Sequence, residues 1–133
     1  MTRIAANALI YFAAVFAVGF LLGSVRTVWL APRIGVLLAV LVELPFMLAA
    51  SWLCARRVLS RRPLPRRGAA LAMGLMAFVL LMAVELALAV AGFGQTPGQW
   101  LAALGTAAGL AGLAGQAVFA LLPAVLWRGQ AGN

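Results

Sequence analysis

Apolar residues run almost unbroken through four stretches of this chain: from near Ile4 to about Leu30, from Ile34 to Cys54, from Ala69 to Gly92 and from Trp100 to Trp127. Each is long enough to cross about 30 Å of hydrocarbon, which takes about 20 helical residues. Polar residues collect between them, in a tight turn at Ala31-Pro32-Arg33, a basic loop from Ala55 to Gly68 and a short turn from Phe93 to Gly98. Helix is the state these runs must adopt, because isolated strands leave backbone groups unpaired in lipid and four long runs do not close a barrel. Local signals agree: Pro32 suits the first turn of a second helix. Thr96-Pro97-Gly98-Gln99 has the spacing of a capping box, with Pro97 at the first helical position. The expected fold is all-α, a four-helix transmembrane bundle forming one domain over residues 1–133. Its spans are expected at about 4–30, 34–54, 69–92 and 100–127, with a basic loop at 55–68.

Composition strengthens this reading. Hydrophobic residues make up 66% of the chain and charged residues 9%, against roughly a quarter charged in soluble domains. A soluble fold of this size needs a polar shell that these residues do not supply. The net charge of +8 comes from ten arginines against Glu43 and Glu85 alone. That charge is confined to a loop and helix ends, with no soluble domain to present it, so no nucleic-acid partner is expected. Histidine is absent, which removes histidine metal and haem ligation and the Ser-His and Cys-His nucleophile pairs. Cys54 is the single cysteine, read as a small apolar residue at a helix end. No catalytic residues, cofactor or metal site are expected, and the chain does not read as an enzyme.

The arginines also orient the bundle. With four crossings, Arg3, the six arginines of the central loop and Arg128 share one side, and only Arg26 and Arg33 lie on the other. The positive-inside rule puts the eight, and with them both termini and the loop, in the cytoplasm of a cell with a bacterial-type inner membrane. The first run is too long for a signal h-region and is read as an uncleaved span. Trp29, Trp52, Trp100 and Trp127 fall near span ends, where indoles anchor at the interface.

Helices in lipid associate through close backbone approach. Gly105, Gly109, Gly112 and Gly115 recur at three- and four-residue steps in the fourth run, and Gly19 and Gly23 form a small-xxx-small pair in the first. These six are the expected packing glycines, within the chain or toward a second protein. Arg26, Glu43, Glu85 and Gln116 form the expected intramembrane polar cluster, and charges within spans are functional-site hypotheses by default. Glu43 and Glu85 stand about 15 Å and 12 Å below the same boundary, at 1.5 Å per residue. Pro45 frees the Leu41 carbonyl beside Glu43. Two outcomes compete: a carboxyl keeps its proton, or Arg26 reaches down to form a buried ion pair. Arg56, Arg57, Arg61, Arg62, Arg66 and Arg67 are expected to set topology and contact anionic headgroups, at roughly 1 kcal/mol each.

The pattern Tyr11-Phe12, Gly19-Phe20-x-Leu22-Gly23-x-x-Arg26, Pro32-x-x-Gly35, Glu43-x-Pro45-x-Met47, Gly74-x-x-Ala77-Phe78 and Glu85 resembles a group of uncharacterised four-span inner-membrane proteins of proteobacteria. The resemblance implies class and location and brings no activity. Small multidrug transporters place an essential glutamate in the first span, where this chain has none. Small fluoride channels use an Asn, Ser and Thr lining that is lacking here. The leading expectation is a non-enzymatic accessory subunit or helical scaffold, in contact with anionic lipid and with another membrane protein or a second copy. The alternative is a small proton-coupled transporter using Glu43 or Glu85.

Overall fold

The computed structural model describes residues 2–128. Within them the chain is all-α: α1 (Thr2–Val25), a π-helical turn (Arg26–Leu30), α2 (Ala31–Ile34), α3 (Val36–Arg61), α4 (Arg67–Ala87), a second π turn (Leu88–Gly92), α5 (Pro97–Leu104) and α6 (Ala107–Leu126). Four helical segments are long and apolar enough to cross a membrane: Thr2–Ile34, Val36–Arg61, Arg67–Gly92 and Ala107–Leu126.

Three boundaries differ from the sequence expectation. The first reversal lies at Gly35, and the expected turn at Ala31-Pro32-Arg33 is helical. Proline at a first turn needs no hydrogen-bonded N–H, so Pro32 continues the helix. Gly35 instead takes φ +92°, a conformation that costs a side-chain-bearing residue dearly. The basic loop is also far shorter than 55–68. Helix α3 runs on to Arg61, leaving only residues 62–66 between α3 and α4, because Val58 and Ala55 pack into the core and hold that extension down. The fourth run is two helices. The capping box at Thr96 and Gln99 forms as expected and opens α5. A second cap then follows, in which the Thr106 side chain accepts from the Gly109 amide and starts α6.

Neighbours in the bundle are α1 with α3, α3 with α6, α6 with α4, and α4 with α1. Helices α3 and α4, consecutive in sequence, therefore stand across the diagonal. The linker of residues 62–66 must cross the end of the bundle to join them. Leu64 is its plug, 2% exposed in a core with Ala8, Tyr11, Val15, Ala55, Ala70, Met73, Ala77 and Phe119. That core occupies the arginine-rich half. Toward the other end, Ala39 and Ala89 are the buried apolar residues, and the polar pairs lie in this thinner half.

A close helix approach pairs α4 with α6. A Cβ on Gly74 would fall onto the Ala120 carbonyl oxygen, so this crossing requires glycine. Gly19 and Gly115 also meet neighbouring helices: added Cβ atoms there would lie 3.2 Å from Met47 Cε and 2.6 Å from Leu44 Cδ2. The remaining glycines of the expected set do other work. Gly23 makes room for Arg26, Gly105 and Gly109 adjoin the Ala103–Thr106 break, and a Cβ on Gly112 would meet nothing within 4 Å. The expected ribbon is interrupted because its first member precedes the break and the rest follow it.

Candidate functional site

The spans carry two separate polar pairs, and helix order explains the division. Arg26 and Glu43 stand on either side of the Gly35 reversal, on adjacent antiparallel helices, so the hairpin brings them level. Arg26 Nε donates to Glu43 Oε2 at 2.7 Å, with the two side chains 30% and 17% exposed. The π turn begins at Arg26, and such wider turns recur at functional positions. Beside the pair a crevice of about 150 Å³ is lined by Leu22, Val25, Leu30, Val42 and Phe46 together with Arg26 and Glu43.

Glu85 pairs elsewhere. Its Oε2 accepts from Gln116 Nε2 at 2.7 Å, across the α4–α6 interface. The Gln116 Oε1 atom is buried without a hydrogen-bond partner among the described residues. Arg26 lies within electrostatic range of Glu85 but bonds Glu43. The four residues expected in one cluster stand instead as two pairs, because α3 and α4 face each other diagonally and their acids turn to different neighbours.

A second polar set, at the arginine-rich end, was not singled out in the sequence. Tyr11 on α1 donates its hydroxyl to the Phe119 carbonyl at 2.6 Å, and the two rings stack with centroids 4.4 Å apart. That carbonyl is free because Pro123, four residues on, has no N–H to offer it, and this proline was the available signal. Asn7, fully buried, donates to the Arg62 carbonyl at 2.9 Å and accepts from Arg62 Nε at 2.7 Å. Arg3 donates to the Pro63 carbonyl and Trp127 to the Leu64 carbonyl. An asparagine inside an apolar run was the signal here.

The six basic residues of the expected loop consequently divide. Arg62 is held by Asn7, Arg67 lies over the Trp127 ring at 5.8 Å, and Arg66 folds against Gly68. Arg56, Arg57 and Arg61 project from the last turns of α3, with Arg56 over the Trp52 ring at 5.2 Å. Among the described residues no group of three or more His, Cys, Asp and Glu side chains comes together in a way that would hold a metal ion. Cys54 is free and half-buried. Comparison of the chain with family models, curated proteins and solved structures returned no match.

Proposed function

We propose that this is a non-enzymatic inner-membrane protein acting as an accessory subunit or helical scaffold, with both termini and the arginine-rich end in the cytoplasm. This accords with its resemblance to small four-span inner-membrane proteins of proteobacteria. One observation carries the reading: polar side chains within the spans bond chiefly to one another and to freed carbonyls, as Arg26 to Glu43, Gln116 to Glu85 and Tyr11 to Phe119. Buried polar networks satisfied in this way rigidify a bundle. The crevice at Arg26 is small and otherwise apolar.

The test is purification in mild detergent followed by mass spectrometry. A partner membrane protein recovered in stoichiometric amount is the expected result, and a chain that purifies as a lone monomer through every detergent would count against the subunit role. Orientation is checked at Cys54, the only thiol, which adjoins the arginine-rich end. An impermeant thiol reagent should miss it in intact spheroplasts, and labelling before lysis would reverse the topology.

A second reading, a proton-coupled transporter, is favoured by Glu85 and the unpartnered Gln116 Oε1. Under it, Glu85→Gln would keep the fold and abolish uptake. In a scaffold the same change alters only stability.

A further inference from the structure

Of the six arginines of the expected loop, Arg56, Arg57 and Arg61 stand together on one rigid element. Helix α3 has 26 residues, about 39 Å at 1.5 Å per residue, which is longer than about 30 Å of hydrocarbon. Its last two turns therefore project past the apolar slab, with Trp52 marking the boundary. On that projection Leu53, Arg56, Arg57, Ser60 and Arg61 line an open groove of about 320 Å³. Residues 56, 57, 60 and 61 fall on one face, at the spacing of successive helical turns. The groove holds three guanidinium groups and a hydroxyl, and no carboxylate lines it. The α3 C-terminus contributes about half a negative charge, which three full positive charges outweigh.

We propose that this groove is a binding site for a phospholipid whose headgroup carries two phosphates, with Arg57 and Arg61 as the paired phosphate ligands. Guanidinium is the planar fork that binds phosphate oxygens in pairs. Three uncompensated positive charges match a dianionic headgroup better than a monoanionic one. Ser60 supplies a hydroxyl donor, and Leu53 at the membrane-facing end meets the start of an acyl chain. Arg56, stacked on Trp52, is held at headgroup depth.

The experiment exchanges lipid onto the full-length protein in detergent and reads retained lipid by native mass spectrometry. The probes are cardiolipin, phosphatidylglycerol at matched total charge, and inorganic pyrophosphate as the free diphosphate. Wild type should retain cardiolipin over phosphatidylglycerol. Arg57→Gln or Arg61→Gln should each weaken that retention about fivefold, the equivalent of roughly 1 kcal/mol for each arginine near the surface. Arg61→Lys should recover only part of it, because lysine keeps the charge and loses the fork. These side chains are exposed, so folding should survive, with helicity by circular dichroism as the check. Arg62→Gln and Arg67→Gln serve as the comparison and should leave lipid retention within about twofold of wild type. Equal losses from all five variants, or equal retention of the two lipids, would reduce the groove to general surface attraction and overturn the proposal. Displacement of cardiolipin by pyrophosphate at similar concentration would overturn the lipid assignment in favour of a soluble diphosphate.

Discussion

At the level of single side chains, the Arg26–Glu43 pair makes the clearest demand. Removing one member of a buried ion pair strands the other, at roughly 3–5 kcal/mol when burial is complete. Arg26 is 30% exposed, so Arg26→Ala is expected to cost less, about 2 kcal/mol, read as a lower unfolding temperature in detergent. Adding Glu43→Gln should recover part of that loss, since the double variant strands no charge. Strict additivity would mean that Arg26 simply extends to the headgroups. Tyr11 offers a cleaner measurement. Tyr11→Phe keeps the ring stacked on Phe119 and removes only the 2.6 Å hydrogen bond, leaving the Phe119 carbonyl without its donor, for an expected loss of about 1–2 kcal/mol. The acids and Arg26 were legible because charges inside apolar runs stand out. Tyr11 and Asn7 were not, since their partners, the Phe119 carbonyl on α6 and Arg62 of the linker, lie 108 and 55 residues away in sequence.

Among the helices, glycine separates crossings from breaks. Gly74→Ala is expected to destabilise strongly, because the added methyl would meet the Ala120 backbone, which cannot swing aside as a side chain does. Gly112→Ala should be neutral or slightly stabilising, by up to about 1 kcal/mol, since the site is open and alanine is the better helix former. Thermal melts of the two variants side by side decide the matter, and equal behaviour would contradict the assigned crossing. The four spans were readable from apolar run length, and the capping box at Thr96 from its Thr-x-x-Gln spacing. The positions of the breaks were not. Gly35 and the Gly105–Thr106 step differ from their neighbours only in local backbone geometry, which hydropathy does not record. The extension of α3 through Arg56 and Arg57 was hidden because arginines resemble loop when read by polarity, while Ala55 and Val58 between them keep the helix seated.

For the bundle as a whole, the diagonal placement of α3 and α4 governs most of what sequence alone did not disclose. Helix order sends Glu43 to the π turn that follows α1 and Glu85 to α6, and it draws residues 62–66 across the bundle end. Asn7→Ala should therefore destabilise by about 1 kcal/mol, since it removes both hydrogen bonds by which buried Asn7 holds the Arg62 carbonyl and guanidinium. It should also raise hydrogen exchange in residues 62–66 while leaving the Gly35 end unchanged. The same topology makes the molecule two antiparallel hairpins, α1 with α3 and α4 with α6, each of neighbours in sequence and in space. Each hairpin pairs two apolar spans and is expected to enter the bilayer on its own, while docking joins the two chiefly through α3 and α6. A chain cut at the linker and expressed as two pieces should thus reassemble from its halves, whereas a cut at Gly35 or at Gly94 would separate helices that were meant to insert together.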